Sequence, residues 1–508
     1  MLKKFFEHHP GSALGSSLFS SRNELIDLIL KKPQSAIKIL KDKYGFGQHS
    51  DFWDDHIFNL ILSPALSKIS SLDIKSAINL YAYLDHELFI LYIRRDEDPS
   101  RFRRAFWNVN SFGIQISHRF HQYLLDAGKI TTLSSVSDSS KHKPRIGFVF
   151  KGAFRLAHAE FFKEFLVGCK FFGKQVDVFL ILIDENIDAP LLNSGDLNHI
   201  EIISLSEHKS FFEKMIIYAQ TVQALNLDHL SWIACVQNIS LYMGSRFVNK
   251  QSYWSMKYHS IIMDSLDKYA GLGFGGDSFY FDDVHWFRGR AFPDLSLPKI
   301  SDSQRSTLRS SHGIPESAVV AGCFVRSEKL NNLDFWELIN LILNRFPQMH
   351  FVIASQTLPS VAEQYLSTDL FRSRFHHLGW VDTKKWCQCL DIYIDSFPRG
   401  SCLTALEAIK VSKPVLIFDS EHNRESSALP YLNSVRDSES LTGIFSIGSS
   451  KSIFKSLEKV LSDPKMMTVI VKNQSKFLAR LEGQRHLFAK DYLNYFLGTS
   501  FSISSARD

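Results

Sequence analysis

No run of eighteen apolar residues occurs in this 508-residue chain, so no membrane-spanning helix is read from it. The opening M-L-K-K-F-F-E-H-H-P leads into no apolar stretch long enough for a signal peptide, and the expected location is the cytoplasm. An excess of one charge is also missing. With 58 Lys and Arg against 53 Asp and Glu, the formal net charge is +5 and both signs are mixed along the chain, so neither a nucleic-acid tail nor a lipid-binding basic segment stands out. The six cysteines, Cys169, Cys235, Cys323, Cys387, Cys389 and Cys402, make no C-x-x-C pair. Scattered in mostly apolar contexts, they read as reduced core thiols rather than a disulfide frame or zinc site. No D-x-D pair stands at a strand end, and Asp282-Asp283 falls in a loop, so no metal is expected. No repeat of fixed period is visible, which argues against a helical-repeat array.

What remains is ordinary globular material, 45% hydrophobic and 22% charged, long enough for two or three domains. Residues 1–140 read as an all-helical N-terminal domain, with apolar residues at helical spacing around Leu25–Leu30, Ile37–Tyr44, Phe58–Leu62, Ala77–Ile93 and Phe102–Leu125. The charge cluster Arg94–Arg104 reads as a solvated corner between helices. After the polar linker Thr132–Pro144 the period changes. Strands are expected at Arg145–Phe150, Val176–Ile183, Ile200–Ile203 and His229–Val236, with helices between them, so residues 141–297 form a first parallel-sheet domain. The glycine-rich segment Gly271–Asp277 reads as an aromatic-lined mobile loop. A second such domain, residues 298–480, carries strands at Ala318–Phe324, Met349–Ala354, Phe375–Leu378, Ile392–Ile394 and Val415–Phe418. Residues 481–508 hold a last helix that could return to the first sheet, and a tail.

The most informative stretch is Asp391–Arg424. A short apolar strand, Ile392–Ile394, breaks at Phe397-Pro398-Arg399-Gly400. A helix starting at Ser401 then places Leu403, Leu406 and Ile409 on one face and leads into the next strand. Ligands of parallel sheets sit beyond the strands' C-terminal ends, and a helix start offers free N–H groups and a positive dipole end to a phosphate. Glu407 lies about two turns into that helix, within reach of a ribose.

This segment resembles the donor-binding half of GT-B glycosyltransferases. The run from Gly379 to Arg424 resembles most closely the O-GlcNAc transferase family and its soluble bacterial asparagine-glucosylating relatives, through Asp395, Phe397, Pro398, Gly400, Ser401, Thr404, Glu407, Ala408, Pro414 and Val415. It departs from that pattern at Leu403, where a second Thr is usual, and at Ser412, where Gly is usual. The strand Arg145–Phe150 resembles the family's R-I-G-Y-V-S…H segment. The resemblance therefore implies an α/β fold of GT-B type, two facing Rossmann-like domains preceded by an all-α domain that handles the acceptor.

It also implies site residues. Lys329 falls where the family places a lysine on the donor diphosphate, and Arg326, three residues before it, suits the same work. Gly400, Ser401 and Thr404 would cradle the phosphates, Gln356 and the Gly379-Trp380 backbone would frame the base, and Arg424 falls in a donor-side segment. His158 or His259 would contact the acceptor or the β-phosphate, and Gln251 matches an inter-domain loop. The expected activity is metal-independent transfer of a hexose or N-acetylhexosamine from a nucleoside-diphosphate sugar, most simply a UDP-sugar, to a protein or glycan acceptor. No cofactor beyond the donor is expected, while the helical domain could recruit a partner protein. A sugar-nucleotide epimerase or hydrolase, or a silent nucleotide-binding scaffold, stays open on the same residues.

Overall fold

The computed structural model describes residues 27–28, 30–32, 68–69, 71–94, 99–133, 143–151, 157–184, 195–208, 210–255, 261–273, 277–281, 284–420, 423, 427–433 and 441–502. By contact the chain divides into two compact units. One is Met1–Ala159, Phe165–Arg290 and Phe488–Asp508; the other is Glu160–Glu164 and Ala291–Leu487.

The first unit is built on an eight-stranded sheet. Its strands are β1 (Arg145–Phe150), β2 (Asp177–Leu182), β3 (Glu201–Ser204), β4 (His229–Ile233), β5 (Gln251–Trp254), β6 (Lys268–Gly273), β7 (Asp277–Phe281) and β8 (Val284–Arg290). They lie in the order β3-β2-β1-β4-β5-β6-β8-β7, parallel except for the β7–β8 hairpin. R-I-G-F-V-F and D-V-F-L-I-L are apolar without alternation because helices cover both faces of such a sheet. The crossovers include α3 (Ala157–Cys169), α4 (Phe211–Ala224) and α5 (Ile239–Met243).

The described N-terminal helices, α1 (Ile74–Arg94) and α2 (Pro99–Asp126), do not keep a core of their own. Ala77, Ile78, Tyr81, Ile116 and Phe120 are buried in one cluster with Trp232, Tyr242 and Tyr218. Hydrogen bonds join the same surfaces, from Tyr81 Oη to Ser240 Oγ (2.8 Å) and from Ser117 Oγ to the Leu241 carbonyl (2.9 Å). The helices expected before Ile74 lie largely outside the described residues. At the other end of the chain, Tyr492 stacks on Trp254 with centroids 4.1 Å apart and donates to the carbonyls of Gly271 and Gly289.

In the second unit six strands, β9 (Val319–Phe324), β10 (Met349–Ala354), β11 (Phe375–His377), β12 (Ile392–Ile394), β13 (Val415–Asp419) and β14 (Ile444–Ser446), are all parallel in the order β11-β10-β9-β12-β13-β14. Helix α6 (Leu333–Arg345) is capped by Asn332 and buries Phe335, Trp336, Leu338, Ile339, Ile342 and Leu343 against this sheet. Helices α7 (Thr383–Cys389) and α8 (Leu403–Lys410) flank β12 in sequence.

Several expectations change. The glycine-rich segment is strand as far as Gly273, with Gly271 and Gly273 paired to Arg288 and Arg290; residues 274–276 lie outside the described residues. Strand β4 stops at Ile233 because Ala234 takes φ +62°, which ends the extended run three residues early. Helix α8 begins at Leu403 rather than Ser401, and β14 interrupts what reads as continuous helix. Among the described residues no helix is long and apolar enough to cross a membrane.

Candidate functional site

Strand order locates the crevice of the second sheet. From β9 the chain proceeds outward to β10 and β11, then returns to the other side of β9 with β12, so the loops after β9 and β12 diverge at one point on the C-terminal edge. Arg326 and Lys329 belong to the first of these loops, Asp395 to Ser401 to the second.

The two loops are joined by Lys329, whose Nζ donates to the Gly400 carbonyl at 2.5 Å. Buried Asp395 organises the second loop. Its Oδ1 accepts the Ser396 N–H (3.0 Å), and both of its oxygens accept the Ser401 N–H (2.8 and 3.0 Å). Burial pushes its carboxyl up to about 6, against those N–H bonds and the nearby Lys329 ammonium. Asn423 closes the other side. Its Oδ1 accepts the Gly400 N–H (2.5 Å) while its Nδ2 donates to the Phe418 carbonyl (2.8 Å). No side chain fits at position 400, since a Cβ there would stand 2.3 Å from Asp395 Oδ2.

The hydroxyls expected to face a phosphate are turned partly into the fold. Thr404 Oγ1 donates to the Phe324 carbonyl (2.9 Å), and the buried Tyr393 hydroxyl donates to Ser401 Oγ (2.9 Å) and lies 3.0 Å from Thr404 Oγ1. These bonds pin the start of α8 to the end of β9. The N-cap residue, Cys402, makes no side-chain cap bond, so the helix's positive end is left to other partners.

Glu407 is three residues beyond Thr404, on the same side of α8. It is buried, accepts from Thr383 Oγ1 (3.0 Å), and is pushed up to about 7 by burial, against the Thr383 bond and Lys384. Three residues before Thr383, Trp380 is 86% exposed, a large apolar ring left open to solvent. Gln356, just past β10, is exposed too. Thus Lys329, Gly400, Ser401 and Thr404 stand together, Glu407 is tied to the first residue of α7, just past the loop that carries Gly379 and Trp380, and Arg326 opens the turn that holds Lys329.

The remaining expected residues fall elsewhere. His158 is the second residue of α3, and its side chain is outside the described part. His259 and Arg424 lie outside the described residues. Gln251 is a buried structural group whose amide donates to the Met243, Ser245 and Ser265 carbonyls, each at 3.2 Å. Among the described residues no three His, Cys, Asp or Glu stand together as a metal site. Tyr393 and Asn423 went unnoticed in sequence, where one reads as strand core and the other as loop.

No family model matches this chain, and no curated protein matches it in sequence. In structure it is similar to a variant of the O-GlcNAc transferase from Thermobaculum terrenum, at 14% identity and TM-score 0.56, over 98% of this chain and 96% of that one. It is also similar to Anabaena HepE in complex with UDP-glucose (13%, TM-score 0.46, 69% and 99% covered) and to a UDP-N-acetylglucosamine 2-epimerase from Listeria monocytogenes (12%, TM-score 0.43, 71% and 100% covered). The fold is that of the GT-B glycosyltransferases, two parallel-sheet domains with a helical region before the first.

Proposed function

We propose that the protein is a glycosyltransferase that moves a hexose or N-acetylhexosamine from a nucleoside-diphosphate sugar, with uridine as the expected base, to a protein or glycan acceptor. One observation carries the reading, the meeting of Lys329, the Gly400-Ser401 turn and the uncapped start of α8 where β9 and β12 diverge. A diphosphate placed there is met by an ammonium, the Arg326 guanidinium and the helix dipole, which take up the charge that grows on it as the glycosidic bond breaks. Glu407, ionised above its raised pKa, would accept from the ribose hydroxyls. Gln356 and the Gly379-Trp380 turn would frame the base. His158 and His259 are retained as groups for the acceptor or β-phosphate, and Arg424 for the donor. The likeness to an O-GlcNAc transferase supports the reading at the level of fold.

Lys329 is not a general base in this scheme, since it acts on charge. Asp395 is wrapped by backbone N–H groups and holds the loop in shape. The test is release of UDP from a panel of UDP-sugars by wild type and Lys329→Ala. Loss of the ammonium should cut release by about 10²–10³-fold. Absence of UDP binding by calorimetry, or turnover indifferent to the substitution, overturns the proposal. An epimerised sugar formed without acceptor would redirect it to an epimerase.

A further inference from the structure

The stretch Trp380-Val381-Asp382-Thr383-Lys384 reads in sequence only as the entry to a helix, and its chemistry turns on which side chain caps that helix. Asp382 does so, accepting the Lys384 N–H (3.1 Å). The hydroxyl of Thr383, first residue of α7, is thus not needed as a cap, and at that position no carbonyl lies a turn earlier in the helix for it to bond. It donates to Glu407 Oε2 on α8 (3.0 Å). One turn further along α7, Cys387 Sγ donates to the Thr404 carbonyl (3.7 Å), so the two helices meet at more than one point.

Both partners of the Thr383–Glu407 bond are held in place. Thr383 follows a short loop fixed at each end, since the Leu378 N–H donates to the Ile353 carbonyl (2.9 Å), Gly379 turns the chain at φ +68° and Asp382 closes on α7. The exposed ring of Trp380 stands between these anchors. Glu407 is buried one turn past Thr404, whose hydroxyl is bonded to the Phe324 carbonyl at the end of β9. A single hydroxyl therefore joins the loop expected at the base to the carboxylate expected at the ribose.

The charges around Glu407 give that hydroxyl a second effect. Burial disfavours the ionised form and raises the carboxyl to about 7; the Thr383 bond is the strongest opposing influence, ahead of Lys384, while Glu160 and Asp382 push it further up. Lys384 is drawn to Glu160 (3.2 Å), a residue of α3 that groups with the second unit by contact. On the remaining sides, the Cys387 thiol is itself raised by burial and by Glu407, and Lys410 of α8 is paired with Glu482.

A ribose offers two neighbouring hydroxyls, and an ionised carboxylate whose orientation is fixed accepts from both. A carboxyl that keeps its proton has one good acceptor oxygen, and a 2′-deoxyribose has only one of the two donors. We propose that Thr383 is a positioning residue for the donor nucleotide, holding the Glu407 carboxylate so that it selects ribonucleotides over 2′-deoxyribonucleotides. The inference deepens the glycosyltransferase reading and rests on its placement of the ribose at Glu407.

The test uses the full chain, with calorimetry of UDP, 2′-deoxy-UDP and pyrophosphate across the pH range on either side of 7, for wild type, Thr383→Val and Thr383→Ser. Wild type should prefer UDP over 2′-deoxy-UDP by about tenfold or more above that range's midpoint, and by about threefold or less below it, where Glu407 has taken up its proton. In Thr383→Val the preference should fall to about threefold or less, and the midpoint of its pH profile should move to higher pH, because a bond that favours the ionised form is gone. Thr383→Ser, which keeps the hydroxyl, should restore both. Pyrophosphate lacks the ribose, so its affinity should stay within about twofold in all three proteins. A preference that does not change with pH, or a Thr383→Val profile that does not move, overturns the inference and leaves the donor site standing. Loss of pyrophosphate binding together with UDP binding in Thr383→Val also overturns it, since the residue would then only support the fold. Absence of UDP binding by wild type removes the glycosyltransferase reading and this inference with it.

Discussion

Two asparagines, each closed off from solvent and each just past an interior strand, show how differently the two sheets are finished. Asn423 accepts the Gly400 N–H and donates to the Phe418 carbonyl, so its amide is part of the scaffold. Among the described residues the Asn238 side chain finds no hydrogen-bond partner, and the residue sits at φ +60°. The edge of the second sheet has its loop locked before any ligand arrives, with Asp395, Asn423 and Tyr393 fixing the backbone that Lys329 touches. At the edge of the first sheet Lys151 and Lys214 both donate to Asp184, and among the described residues the Asn238 amide finds no partner. A site that stabilises developing charge benefits from rigid dipoles.

The sharpest way to break the comparison is Gly400→Ala. The added methyl meets Asp395 Oδ2 and Asn423 Oδ1 within a loop already fixed on both sides. Overpacking of this kind, with loss of the loop's hydrogen bonds, should cost about 2–4 kcal/mol in chemical denaturation and abolish UDP binding. Next comes Asn423→Ala, which strands the Gly400 N–H and should cost about 2–3 kcal/mol by the same measurement. If Asn238→Gly cost as much, the contrast between the two edges would fail, because the expected change there is a gain of up to about 1 kcal/mol.

A titration addresses the donor site alone. The Glu407 carboxyl is raised from 4.5 to about 7 by burial, in surroundings that include Thr383, Lys384, Asp382 and Glu160. Its ionised form accepts hydrogen bonds from a ribose, so UDP affinity should fall as pH drops through about 7, with Glu407→Gln weaker but pH-independent in calorimetry. Because the folded chain holds this proton more tightly, the group's contribution to stability is full below pH 4.5 and is lost as pH rises through about 7. Glu407→Gln should remove that slope from denaturation midpoints. The smallest effect is expected at Ser412, which occupies φ +58° where the resembled pattern has glycine. Ser412→Gly should stabilise by about 0.5–1 kcal/mol, an effect visible as a small rise in melting temperature.

Much of the second sheet was legible in sequence because its strands are short, wholly apolar runs. Met349–Ala354 and Ile392–Ile394 match to the residue, and the convergence of Lys329 with Gly400 and Ser401 follows from where those runs end. The inward bonds were not legible. Asp395, Tyr393 and Asn423 act through backbone groups distant in sequence, and no periodicity reports that. Strands β6 and β8 were not legible because Gly271, Gly273 and Gly289 interrupt their apolar pattern. Periodicity identified α1 and α2 as helices, but it could not reveal that their apolar faces, besides meeting each other, close on Trp232 and Tyr242.

The seating of Tyr492 against Trp254, Gly271 and Gly289 has a consequence for synthesis on the ribosome. The first unit is begun by the earliest residues to emerge and completed by some of the last, whereas nearly all of the second is one uninterrupted stretch. Vectorial production therefore lets the later-made unit settle first, and the earlier one must wait, with part of its apolar surface bare, until residue 497 has left the tunnel.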